Sequence, residues 1–267
     1  MANAQQTTEL PWKSPEDTVT ANFAIGSLRE SLMVWLKNDD GVQAETALVS
    51  IGALMGFAAQ TAVWTRLGKR DIPMPDATTA TPEAVSEYLR TKGLFVTVTT
   101  QSGETLYFGD LINGYLVHGA NSKYRFTLWN VVAASALEAG LKQADLPDTG
   151  AMFRRIAETA GKPDFGIPTA PRGHQPWLTP RKALNLFWPH AKVIFTRTDG
   201  PGPAQGHSVA PEHWPLIGVI VANQIVRNTK STLNPRIGLS LLMESAIAMS
   251  KVDPKSVPQT LSPPTKN

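Results

Sequence analysis

With 267 residues, 42% of them hydrophobic and 18% charged, the chain carries enough apolar surface to offset the ordering of its backbone, which excludes wholesale disorder and predicts a real core. The absence of cysteine excludes a disulfide framework, a thiolate nucleophile and any Cys-ligated zinc or iron–sulfur site. The net charge of +3 hides an asymmetry, with residues 1–150 at −5 and residues 151–267 at +8; the basic residues of the second half are scattered singly, which suits attraction between halves or subunits better than a nucleic-acid groove.

Residues 1–18 are polar, hold two prolines and read as a flexible arm. They lack the basic flank and apolar run of a signal peptide, so a cytoplasmic location is expected. Helical spacing of Phe23, Leu28, Leu32, Trp35 and Leu36 predicts a helix over 20–37, closed by Asn38-Asp39-Asp40-Gly41.

Residues 47–64, ALVSIGALMGFAAQTAVW, are the most apolar stretch and place Gly52 and Gly56 in a G-x-x-x-G spacing. A membrane span is one reading. The run is only 18 residues long, however, includes Ser50, Gln60 and Thr61, and has no counterpart elsewhere in the chain. A buried central helix, approached closely by a neighbour at its glycines, is the preferred reading and argues against a membrane protein.

Thr81-Pro82-Glu83 reads as the start of a short helix running to 92. The period then changes: β-branched residues from 94 to 100, a turn at Gln101-Ser102-Gly103-Glu104, and Thr105-Leu106-Tyr107-Phe108 predict a β-hairpin over about 94–108. Further helices are expected at 110–118, 127–142 and 148–161, the last closed by Gly161. The stretch 162–178, KPDFGIPTAPRGHQPWL, is a long loop. Thr179-Pro180 restarts a helix that Pro189 should break or restart, and a second loop covers 198–210. Helices at 211–227 and 235–250 close the fold, and the proline-rich tail 253–267 should be disordered. The predicted architecture is therefore mainly α: a single helical domain over 19–252, of about seven to nine helices with one peripheral hairpin.

No nucleophile elbow, phosphate-binding loop, paired metal-binding histidines or calcium loop is present, so no catalytic residue, metal or cofactor is assigned. Three weaker constellations remain. Asp110 follows the hairpin and reads as a helix N-cap or, alternatively, as a ligand-binding acid. Arg172, His174 and Trp177 put a cation, an imidazole and an indole in one loop, a mixture suited to an anionic or aromatic small molecule, or else to a loop pinned by its tryptophan. Glu244 is the only charged residue between 237 and 250, on a helix apolar nearly all round; a carboxylate there needs a cation or a set of donors, and a structural ion pair is the expected answer.

The stretches FVTVTTQSGETLYFGD and LLMESAIAMSKVDP resemble an uncharacterised family of bacterial proteins of unknown function. The resemblance touches about a third of the chain, implies a bacterial cytosolic origin and implies no activity. Residue chemistry alone leaves three functional readings. The first is a non-enzymatic binding or assembly protein forming a homo-oligomer, drawn from three strongly apolar helices, an edge hairpin and oppositely charged halves. The second is a small-molecule enzyme or sensor built on the 162–178 loop, and the third a membrane-associated protein. Convergence of Asp110, Arg172, His174 and Glu244 on one pocket would favour the second; dispersal would favour the first.

Overall fold

The computed structural model describes residues 10, 12, 14–68, 95–117 and 126–261. The helix expected at 81–92 and His118 lie outside the described residues. Within them the protein is mainly helical, with one two-stranded antiparallel sheet.

Helix α1 (Pro15–Leu36) begins earlier than its apolar spacing suggests, because Ser14 accepts the Asp17 backbone N–H and Pro15 occupies the first turn. Trp12, placed by sequence in the flexible arm, is buried and meets the His213 ring edge-on at 6.1 Å. Helix α2 (Ala44–Gly68) extends the predicted apolar helix at both ends. The hairpin pairs β1 (Val96–Thr99) with β2 (Thr105–Phe108), Val96 opposite Phe108 and Thr99 opposite Thr105. Four helices follow: α3 (Asp110–Leu116), α4 (Leu128–Glu138), α5 (Thr149–Glu158) and α6 (Pro180–Thr196). The last two are α7 (Trp214–Thr229) and α8 (Pro235–Met249).

One expectation is corrected by the helices. Pro189 does not interrupt α6, which runs unbroken through it. The lost backbone hydrogen bond is offset by packing on either side: Trp188 lies edge-on to Phe57 at 4.6 Å and 5.8 Å from Trp214, and Phe195 stacks on Trp214 at 5.1 Å. Beyond Asp253, the described residues form a 3₁₀ turn at Pro254–Ser256, bury Val257, and have Gln259 accepting from Trp188 Nε1 (3.4 Å) and Lys192 Nζ (3.2 Å).

Helix α2 is the centre of the molecule, covered by α6, α7 and α8. By length and composition it could cross a membrane, yet 94% of its most apolar window is buried inside the protein. The glycine spacing explains the packing. A Cβ built on Gly52 would lie 3.1 Å from the carbonyl carbon of Leu242, and one on Gly56 would lie 2.8 Å from that of Ala246 and closer still to its oxygen. Positions 52 and 56 thus meet 242 and 246 in the same sense, so α2 and α8 run parallel with their backbones in contact. Gly218 on α7 gives Met55 its space in the same way. Every residue from Leu241 to Val252 is buried, so the apolar sequence of the last helix is accounted for by the core.

Candidate functional site

The parallel α2–α8 pair provides a ruler for the residues singled out by sequence. At its lower end, the 171–178 segment docks on the start of α2. His174 Nδ1 lies 2.8 Å from Glu45 Oε1, Gln43 Nε2 donates to the Gln175 carbonyl at 2.9 Å, and the Trp177 backbone N–H donates to Thr46 Oγ1 at 2.8 Å and Gln43 Oε1 at 3.1 Å. The loop is pinned, but not by the Trp177 indole, which is 51% exposed. Backbone and polar side chains fix it instead, because the first turn of a helix has side chains and free backbone groups available for such bonds. Arg172 is exposed.

Midway along the pair sits Glu244. Its Oε2 accepts from Arg155 Nη1 at 2.7 Å and from the Thr169 backbone N–H at 2.6 Å, while Arg155 Nη2 donates to the Ile167 carbonyl at 2.8 Å. The ion pair expected for this lone carboxylate is present, and it ties α5, the 162–178 loop and α8 together. Buried charge is compensated by one cation and one amide donor.

At the upper end, Asp110 is the first residue of α3 and not its N-cap; Gly109 holds the cap position, with no side-chain hydrogen bond to the turn. The acid acts at longer range, through its charge, on Lys251. That lysine is 1% exposed. Its ammonium nitrogen lies 2.7 Å from Asn113 Oδ1 and over the rings of Phe108 and Phe153 at 5.8 and 5.7 Å, while its carbonyl accepts the Tyr107 backbone N–H at 2.7 Å. Burial pushes its pKa down to about 7 against the opposing pull of Asp110. Burial, helped by the charge of Asp253, pushes the neighbouring Tyr107 up to about 12. One residue therefore fastens β2, α3 and α5 to the end of α8. The sequence offered a signal for it, a lysine directly after a run of apolar helix, but that signal is shared by any surface lysine at a helix end.

These groups do not converge. Extending the 52–242, 56–246 register places Lys251 at the level of residue 61 of α2, sixteen residues from Glu45, or about 24 Å along a helix. Asp110, Glu244 and His174 with Arg172 and Trp177 occupy three separate levels. Among the described residues no group of three or more His, Asp and Glu is placed to hold a metal ion.

A concave site does exist, at residues that sequence did not single out. The hairpin turn (Thr100, Gln101, Ser102), Glu104, the start of the long loop (Gly161, Lys162, Pro163, Phe165), Arg181 of α6 and Met249 of α8 enclose a cleft of about 330 Å³. The loop approaches the turn at Gly161, where a Cβ would lie 3.7 Å from the Thr100 Cα. Glu104 Oε1 accepts from Arg181 Nη1 at 2.7 Å and from Ser256 Oγ at 2.9 Å, which fixes both sides of the cleft relative to each other. None of Asp110, Arg172, His174 and Trp177 lines it; the 162–178 loop contributes through its first residues. The signal was weak because the cleft is assembled from four segments far apart in the chain.

No family model matches the chain, and no curated protein and no solved structure is significantly similar to it.

Proposed function

We propose that the chain is a non-enzymatic binding and assembly protein that pairs with a second copy of itself along the seam where α1 lies against α6. The observation that carries this reading is the exposure of three aliphatic side chains there: Val34 at 72%, Leu186 at 54% and Val193 at 50%. Leu186 and Val193, seven residues apart, share one face of α6. Trp35, next in the chain to Val34, stacks on Phe187, next to Leu186, at 5.5 Å and tilts over His190, three residues before Val193, at 4.8 Å, so one aromatic cluster joins the two helix segments that carry the exposed residues. Dispersal of Asp110, Arg172, His174 and Glu244, each engaged in holding the fold or standing apart, supports the same reading.

A second copy fits the seam in size and in charge. Helices of 22 and 17 residues side by side present a face on the order of 600 Å², from a rise of about 1.5 Å per residue and a width of about 10 Å each. Two copies would then bury about 1,200 Å² in all, the lower end of the range for specific interfaces. Helix α6 carries Arg181, Lys182 and Lys192 and no carboxylate, whereas α1 carries Glu16, Asp17 and Glu30 against the single Arg29, which lies 3.6 Å from Glu30. A two-fold arrangement laying each α1 on its partner's α6 sets opposite charges across the interface, around the apolar centre.

Sedimentation velocity over a wide concentration range tests the reading. The wild type should shift from monomer to dimer, and the Leu186→Lys/Val193→Lys double variant should stay monomeric with an unchanged melting temperature, since both side chains are exposed in the monomer. A wild type that is monomeric throughout, or a double variant that dimerises as well as the wild type, overturns it.

A further inference from the structure

The geometry points to the cleft between the hairpin turn and the start of α6 as a binding site for a small carboxylic acid with an apolar body. This inference stands apart from the assembly reading, because it uses none of Val34, Leu186 and Val193.

The floor is apolar and fixed. Met249 is 1% exposed, Phe165 and Pro163 flank it, and Gly166, at a φ of +76°, lets the loop backbone settle onto it: a Cβ there would lie 3.0 Å from the Met249 Cε. The rim is electropositive. Lys162 and Arg181 both line the cleft, and among the described residues lining it the one carboxylate, Glu104, is committed to Arg181 and Ser256 through Oε1. One cation is thereby offset and Lys162 is left over. Arg181 also stands in the first turn of α6, a helix of 17 residues with no acidic residue in that turn, so the partial positive charge of its N-terminus adds to the same field.

A volume of about 330 Å³ is at the small end of ligand sites, which suits a molecule the size of an aromatic or branched-chain acid. Such a ligand would lay its body on Phe165 and Met249 and its carboxylate toward Lys162, within reach of the Thr100 and Ser102 hydroxyls. An amine of the same shape would meet uncompensated positive charge. Inorganic phosphate would leave the apolar floor wet.

The test uses the full chain labelled with ¹³C at the methionine methyl groups, the Met249 resonance being assigned with Met249→Leu. Phenylacetate, benzoate and isovalerate are the acid probes; phenethylamine and inorganic phosphate are the controls. At least one acid should move the Met249 resonance saturably and, at about a hundredfold excess over its Kd, raise the melting temperature by roughly 5–10 °C. Neither control should do so. Lys162→Glu, at an exposed position where folding is unaffected, should weaken acid binding about tenfold or more. The inference is overturned if no acid shifts Met249 saturably by ~10 mM, if phenethylamine binds as well as phenylacetate, or if Lys162→Glu binds like the wild type.

Discussion

Replacing Gly56 with alanine adds one carbon at the place where the two central helices touch, and the structure fixes the sign of the effect. Helix propensity alone favours the change by about 1 kcal/mol. Against it, the new Cβ would lie 2.8 Å from the Ala246 carbonyl carbon and 2.9 Å from its Cα. These are backbone atoms of a helix whose neighbouring residues are wholly buried, so the clash is not relieved by a rotamer change; α2 and α8 must separate. Overpacking typically costs about 1–3 kcal/mol, and a clash with helix backbone falls in the upper part of that range; after the propensity gain is subtracted, about 1–2 kcal/mol remains, which for a chain of this length lowers the melting temperature by about 2–8 °C. Gly26 supplies the control. It lies in the interior of α1, with nothing within 4 Å of an added Cβ, so Gly26→Ala should stabilise by about 0.5–1 kcal/mol. Thermal and urea melts of the two variants side by side decide the matter. If Gly56→Ala raises the melting temperature as Gly26→Ala does, the parallel α2–α8 contact is wrong.

Two further substitutions probe the upper end and the middle of that helix pair. Lys251, held neutral above a pKa of about 7 in the folded chain and about 10.5 when unfolded, makes stability rise as pH climbs from 7 toward 10, because the unfolded chain binds the proton that the folded one excludes; at about 1.4 kcal/mol per unit the gain is on the order of 4 kcal/mol. Tyr107, whose folded pKa is raised to about 12, reverses the trend above pH 10, where only the unfolded chain ionises it. Urea melts across pH 7–11 should show that maximum, Lys251→Met should flatten the rising limb and leave the fall, and a rising limb that survives the substitution would assign it to other groups. At the middle level, Glu244→Ala removes the acceptor of both Arg155 and the Thr169 N–H, costs about 1–3 kcal/mol, and should speed tryptic cleavage after the exposed Arg172 at least severalfold; an unchanged cleavage rate would show that the loop is held elsewhere.

What the sequence disclosed and what it concealed follow from the range of the interactions concerned. Apolar spacing and local signals place most helices and the hairpin, since Thr127, Asp148 and Thr179 each bond a backbone N–H only two or three residues on, whereas apolar spacing alone passes over the Ser14 cap and starts α1 five residues late. Gly52 and Gly56 announced a close helix contact because only their own spacing is needed to see it. Pro189 misled, since the rule it obeys in isolation is outweighed by Phe57, Trp188 and Trp214 arriving from three helices. Glu244 was legible as a charge in need of a partner, while the identity of that partner, Arg155, lay 89 positions away. Asp110 reads first as an N-cap, a position that Gly109 holds instead, and its charge is felt by Lys251, which belongs to the far end of the chain. The cleft went unseen for the same reason: Glu104, Lys162, Arg181 and Met249 carry no shared local pattern.

Self-assembly along α1 and α6 is the central claim, and the lack of cysteine makes a direct measurement simple. A single cysteine is introduced as Val34→Cys in one preparation and Val193→Cys in another, the two are mixed under mild oxidation, and disulfide-linked dimer is followed with time. Ile167→Cys, at a position 47% exposed and away from the seam, gives the collisional background. The account predicts that the Val34→Cys and Val193→Cys chains cross-link to each other well above that background; cross-linking no faster than between Ile167→Cys chains would contradict it.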